Sequence, residues 1–266
     1  MAAAEPRSPV EELLLRGGVL PEAARYGART YYADHRAPRG ERHVRVCTGT
    51  GCFVATAGGR LDEVESAVGV EVGASARDRS VSLQAVQCLG YCYGGPAALD
   101  ADEPRAGANL ADQLAGRAEP ADPELPVTAV SAPVVLRGIV TGEPAWRVWP
   151  EVIASDAGGE RVLREVRQAG LRGRGGAGFP AAAKWAAVRA VEDPGPRFVV
   201  ANGDEGDPGS FADRLLMERD PGRVLEGLAL AGLACRATAG FVYVRSEYPR
   251  ARASVERAVD EARAAG

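Results

Sequence analysis

Two pairs of cysteines, Cys47 with Cys52 in CTGTGC and Cys88 with Cys92 in CLGYC, lie in separate stretches of the chain. Any fold that uses all four must bring two loops to one point. Close thiolate pairs select zinc or an iron–sulfur cluster, and neither spacing excludes zinc. The filling between and after them tilts the choice. Gly49, Gly51, Gly90, Gly94 and Gly95 leave room around sulfur and expose backbone N–H groups that can donate to it. The fifth cysteine, Cys235, stands alone in LEGLALAGLACRATAG and reads as a small core residue.

A cluster of thiols means different things in different compartments. The N-terminal MAAAEPRSPVEELLLRGG mixes acids and arginines where a secretory leader needs an unbroken apolar run. The longest apolar stretch, Leu228 to Cys235, is far short of the ~20 residues that cross a bilayer. A cytoplasmic location is therefore expected, with no direct membrane insertion. Thiols there stay reduced, which favours metal or redox chemistry over disulfides. A formal net charge of −4 offers no electrostatic reason to expect nucleic acid or an anionic membrane as partner.

The 266 residues suffice for two ordinary domains. The polar, proline-rich and acidic RAEPADPELP, from Arg117 to Pro126, reads as the seam between them. Before it, HVRVC and VSLQAVQC are short strand-like segments, and GGRLDEVESAVG is an amphipathic helix with Leu61, Val64 and Val68 on one face. After it, Val162, Leu163, Val166 and Ala169 recur at helical spacing up to Gly170. RFVVAN is a run of the kind a buried parallel strand shows, and GFVYV reads as the next strand. Asp220 with Pro221 supplies an N-cap and first-turn proline for a helix reaching Cys235, and Pro249 opens a last helix carrying Val255, Ala258, Val259 and Ala262. Strand, helix, strand, helix implies a parallel α/β sheet.

Two segments of this second half carry polar chemistry. LRGRGGAGFPAAAKW sets Gly173, Gly175, Gly176 and Gly178 among Arg172, Arg174 and Lys184. A loop so bare can approach a ligand closely and aim N–H groups at phosphate or at a ring edge, although the same pattern also serves as a plain turn. The second segment, GDEGDPGSFADR, follows RFVVAN directly, so Asn202, Asp204, Glu205 and Asp207 fall at the carboxyl end of a parallel strand, where such sheets bind ligands. With His35 and His43 both in the other half, these carboxylates read better as acceptors for hydroxyls or an amide than as metal ligands.

VCTGTGC and VQCLGYCYGGPAALD resemble the thioredoxin-like 2Fe-2S ferredoxin domain of the small flavoprotein-associated subunit of respiratory complex I, in order and in spacing. AGLRGRGGAGFPAAAKW, VVANGDEGDPGSFADR and YVRSEYPRARASVERAVDEA resemble the flavin-binding subunit of the complex I NADH dehydrogenase module and the diaphorase subunits of NAD-linked formate dehydrogenases and bidirectional hydrogenases. The short NGDEGDPG form, and the presence of both domains on one chain, are more like the formate dehydrogenase and hydrogenase branch. In these families a Gly-Glu-Glu segment, a β-rich domain and a helical 4Fe-4S domain follow, so the chain reads as an N-terminal part or a truncated relative of a longer flavoprotein.

The resemblance implies a fold class of α/β. A thioredoxin-like 2Fe-2S domain over 43–116 would follow an N-terminal extension over 1–42, and a linker over 117–130 would lead to part of a Rossmann-like FMN- and NADH-binding domain over 131–266. It implies Cys47, Cys52, Cys88 and Cys92 as cluster ligands. FMN would be met by Gly173, Arg174, Gly175, Lys184, Asn202, Asp204 and Glu205, and NADH by Phe179, Lys184, Glu205 and Asp207. The chemistry would belong to FMN and the cluster, with no catalytic side chain assigned. The partners would be NAD(H) and other iron–sulfur subunits of a dehydrogenase or hydrogenase complex, through which the chain could associate with a membrane. A non-catalytic 2Fe-2S redox or assembly protein is the alternative left open by the residues.

Overall fold

The computed structural model describes residues 26, 31, 39–58, 61–121, 125–192 and 195–266. Most of the expected N-terminal extension over 1–42 lies outside the described residues.

The first half is built on a four-stranded mixed sheet in the order β2-β1-β3-β4. Strands β1 (Arg42–Cys47) and β2 (Val81–Val86) run parallel, Arg42 opposite Val81 and Cys47 opposite Val86. Strands β3 (Ala97–Asp100) and β4 (Glu103–Ala106) form a hairpin, with β3 antiparallel to β1. Short helices α1 (Thr50–Ala55), α2 (Leu61–Val68) and α3 (Leu110–Leu114) accompany it. The sequence's apolar face is the one that packs: Val64 and Val68 of α2 meet Val44, Val46, Leu83, Leu110 and Leu114 in one core, with Leu61 at its margin. Burying side chains of this size contributes about 1.5–3 kcal/mol each.

In the second half, α4 (Arg137–Thr141), α5 (Trp149–Ile153), α6 (Gly158–Gln168) and α7 (Ala181–Arg189) lead to β5 (Phe198–Gly203). Then α8 (Ala212–Arg219), α9 (Pro221–Cys235), β6 (Ala239–Val244) and α10 (Pro249–Ala265) complete the chain. β5 and β6 pair in parallel, Phe198 opposite Ala239 and Gly203 opposite Val244. The apolar α9 is the hub, touching α6, α7, β5 and α10. Glu226, only 5% exposed on α9, accepts backbone N–H bonds from Trp146, Val148 and Trp149, so a buried carboxylate ties the entry segment to the hub. Cys235 is buried against the Trp185 carbonyl, as expected of a core thiol.

Three local expectations differ. β5 is not a buried strand: Val200 is 59% exposed, because among the described residues β5 pairs only with β6 in a two-stranded sheet. Asp220 precedes α9 but its side chain makes no capping hydrogen bond; the carboxylate pairs instead with Arg223 at 2.8 Å and lies where a side chain at Gly138 would have to go. The guanidinium outcompetes the amides for it. Ala169 is exposed beyond the end of α6, because the apolar face of that helix is already complete with Val162, Leu163 and Val166.

Candidate cluster and flavin site

The first cysteine pair is placed by the end of β1 and by α1: Cys47 is the last residue of the strand and Cys52 lies within the helix. The second pair is carried by the loop between β2 and β3. Because β1 and β2 run parallel and adjacent, both loops leave the same edge of the sheet. Cys47, Cys52 and Cys88 are buried and Cys92 is partly so. Cys47 hydrogen-bonds with both Cys52 and Cys88, and Cys88 Sγ lies 3.5 Å from Cys92 Sγ. The sulfurs thus form a chain of contacts, and no three among the described residues close around a single metal-ion position.

Two of the glycines of these loops are sterically required and a third is tightly packed. A Cβ on Gly49 would sit 2.2 Å from the Gln87 carbonyl oxygen, one on Gly95 2.9 Å from Cys52 Sγ, and one on Gly51 3.1 Å from Cys92 Cβ. Backbone N–H groups of Gly90 and Gly209 donate to Cys88 Sγ at 3.3 Å and to Cys92 Sγ at 3.1 Å. The hydrogen bond with Cys47 and then burial push the Cys88 thiol well above its ordinary value, burial raises Cys92, and the hydrogen bond from Cys47 lowers Cys52. Metal binding here would displace protons.

The glycine loop is a stapled hairpin with a free tip. Arg172 and Pro180 form an antiparallel bridge, Gly173 N–H donates to the Phe179 carbonyl at 2.9 Å, and Ala181 N–H donates to the Leu171 carbonyl at 2.9 Å. Gly175, Gly176 and Gly178 have nothing within 4 Å of an added Cβ. Positive φ falls at Gly176 and Gly178, at 104° and 61°. Arg174, Phe179 and Lys184 are exposed around this loop.

At the carboxyl end of β5 the expected residues sit together. Asn202 Oδ1 accepts from Asp204 N–H at 3.0 Å, and the Glu205 carboxylate accepts from the N–H groups of Asp213 and Arg214 in the first turn of α8. Asp207 is exposed and its carbonyl accepts from Ser210 N–H. No hydrogen bond or ion pair among the described residues joins this segment to the glycine loop. A groove of about 810 Å³ lined by Arg164, Arg167, Arg189 and Arg197, and another of about 830 Å³ lined by Trp146, Trp149 and Leu228, contain none of the expected flavin residues.

What the acidic segment does touch is the cluster loop. Besides Gly209 on Cys92, Arg214 Nη2 donates to the Gly90 carbonyl at 2.9 Å and to Tyr93 Oη at 3.0 Å, while its guanidinium lies 4.2 Å from the centre of the Tyr91 ring. Phe211 meets Tyr93 edge to face at 5.1 Å. Burial opposes the charge on Arg214, but Glu218, 2.9 Å away, and the two tyrosines more than offset it, leaving the group firmly charged. Sequence reasoning missed Gly209, Arg214 and Arg245. The signal for Arg245 was present: it directly follows β6, at the same carboxyl edge already marked on β5.

Residues 19–108 match the thioredoxin-like 2Fe-2S ferredoxin family, and residues 166–266 match the Nuo51 FMN-binding domain family. The chain joins a 2Fe-2S ferredoxin domain to an FMN-binding domain. It is 44% identical over 112 residues to the mitochondrial NADH dehydrogenase (ubiquinone) flavoprotein 1 of Dictyostelium discoideum, covering 42% of this chain and 23% of that protein. It is 40% identical over 124 residues to the mitochondrial NADH-ubiquinone oxidoreductase 51 kDa subunit of Neurospora crassa, covering 46% of this chain and 25% of the relative. The chain thus spans about a quarter of the length of these curated relatives. Both domains together are similar to the crystal structure of an NAD+-reducing NiFe-hydrogenase in the H2-reduced state, with a TM-score of 0.75, 28% identity, and coverage of 97% of this chain and 46% of that one. Both expected cofactors, 2Fe-2S and FMN, are those of the matched families, and the four thiols and the open glycine loop fit them in donor chemistry and in free space. Among the described residues no helix is long and apolar enough to cross a membrane.

Proposed function

We propose that the chain is the NAD(H)-facing part of a dehydrogenase or diaphorase module, moving electrons between NAD(H), FMN and iron–sulfur centres within an NAD-linked formate dehydrogenase, hydrogenase or complex I-like assembly. The observation that carries this reading is the direct contact between the Gly209–Arg214 segment of the FMN-binding domain and the Cys88–Tyr93 loop. FMN held at the glycine loop and the carboxyl end of β5 would supply the exchange between a two-electron hydride and single electrons, and Cys47, Cys52, Cys88 and Cys92 would hold a one-electron carrier beside it. Other iron–sulfur subunits of the assembly are the onward partners.

In this reading Cys47, Cys52, Cys88 and Cys92 hold the cluster. Gly173, Arg174 and Gly175 leave an open, positively charged cradle for the flavin, with Lys184 beside it on the exposed face of α7. Asn202, Asp204 and Glu205 present acceptors at the carboxyl end of β5. Phe179, 59% exposed, is available to cover the nucleotide, with Lys184, Glu205 and Asp207 as its polar contacts. The domain limits 43–116, 117–130 and 131–266 accompany this assignment, and the extension over 1–42 precedes them.

The test is optical and EPR spectroscopy of the chain in its assembly, with NADH-dependent ferricyanide reduction. Flavin and cluster signals with turnover are expected. A cluster without flavin or turnover would leave the non-catalytic redox reading, and a colourless zinc protein would exclude both.

A further inference from the structure

Arg245 sits between the two cofactor regions. Its side chain is 8% exposed, Nη1 donates to the Glu205 carbonyl at 2.5 Å, and Nη2 donates to the Cys88 carbonyl at 2.9 Å. One planar guanidinium therefore spans the segment expected to hold flavin and the residue expected to hold iron, which a single-headed cation cannot do in the same geometry. Tyr248, 1% exposed, braces the arrangement: its hydroxyl donates to the same Glu205 carbonyl at 2.9 Å, and its ring lies 5.1 Å from the guanidinium carbon. Carboxylates of Glu247 at 3.2 Å and Asp204 at 3.8 Å face the group. Burial disfavours its charge, yet Glu247 and Tyr248 more than offset that.

We propose that Arg245 is a positioning residue that fixes the 2Fe-2S cluster against the flavin segment and raises the cluster's reduction potential by holding positive charge on the Cys88 loop. This rests on the cofactor assignment above. The physical cause is charge: a four-thiolate cluster is anionic and becomes more so when reduced, so a buried cation held at a ligand's own carbonyl favours the reduced form. Arg214 on Gly90 and the Gly209 N–H on Cys92 act in the same direction from the same domain. The second cysteine loop is thus held at three points by the FMN-binding domain.

The experiment is an EPR-monitored redox titration, with mediators, of the full chain in its assembly, comparing the parent with Arg245→Gln, Arg245→Lys and Arg250→Gln. Arg250 makes an interdomain ion pair with Glu103 at the exposed rim, 3.0 Å long, and serves as control. Arg245→Gln is expected to shift the cluster at least tenfold toward its oxidised form, about 59 mV for one electron. Arg245→Lys and Arg250→Gln are each expected to shift it less. An unchanged potential in Arg245→Gln, or an equal shift in Arg250→Gln, overturns the proposal. If Arg245→Gln does not retain its cluster, the neutral Arg245→Met decides: a lowered potential supports the proposal and a parental one overturns it. A chain that shows these shifts but lacks flavin and NADH reactivity would sink the proposed function while leaving the role of Arg245 standing.

Discussion

The cysteine loops and the glycine loop are equally glycine-rich, and the glycines in them do opposite things. In the cysteine loops they are contact points: at Gly49 and Gly95 an added carbon would meet a carbonyl oxygen at 2.2 Å or a thiol sulfur at 2.9 Å. In the glycine loop they border empty space, and at Gly176 and Gly178 they also permit positive φ. One region uses glycine to pack a site whose ligands come from the protein itself. The other keeps clear a volume that only something from outside can fill.

The largest effect should come from the packed site. Changing Cys47, Cys52, Cys88 or Cys92 to serine should abolish the cluster's visible absorbance and EPR signal, whereas Cys235→Ser should leave both intact. Zinc without iron in the purified assembly would break the comparison at its root. Next, Gly49→Ala should destabilise the cluster domain by about 3 kcal/mol, because a backbone oxygen cannot step aside as a flexible side chain could. Urea unfolding followed with and without the cluster would measure it, and parental stability would show that the loop yields.

The stability of the flavin half rests away from its glycine loop, and Glu226 tests that. Glu226→Ala leaves three backbone donors without their acceptor and should cost about 2 kcal/mol while leaving the cluster spectrum unchanged. Thermal unfolding with parallel EPR would show a coupled loss if the two halves behave as one unit. The smallest stability effect is expected at Gly175→Ala, within about 0.5 kcal/mol of the parent. Its effect should appear in FMN affinity, weakened roughly tenfold, or about 1.4 kcal/mol. Unaltered affinity by fluorescence titration would reduce that loop to a turn. Positive φ at Gly176 and Gly178, and not at Gly175, means that the Gly175 variant reports lost space and not backbone strain.

Much of the architecture was legible because it is local. The periodicity of Leu61, Val64 and Val68, the Asp220–Pro221 start, the Pro249 start and the apolar runs of β5 and β6 each depend on neighbours within a turn or a strand. That the two cysteine pairs would come together was legible too, since paired thiols flanked by glycine leave few other uses. Less legible was what each polar side chain would choose among competing partners. Asp220 took Arg223 over the amides of α9, and the Glu205 carboxylate went to the N–H groups of α8. Such choices depend on which charged groups the fold brings within reach.

By itself the sequence determined the α/β halves, the two loops that carry the thiols and the loop with no side chains at its tip, because backbone propensity, apolar period and ligand type are written residue by residue. Only the tertiary structure decided that the two halves meet at the cysteine loop. Arg245 lies far along the chain from Cys88, yet its guanidinium reaches the Cys88 carbonyl because β6 ends beside β5 and α10 turns Tyr248 beneath it. A hydrogen bond of that sequence separation has no period and no local propensity. It exists because a buried charge must find acceptors, and the packing brings the Glu205 and Cys88 carbonyls to it along with the Glu247 carboxylate.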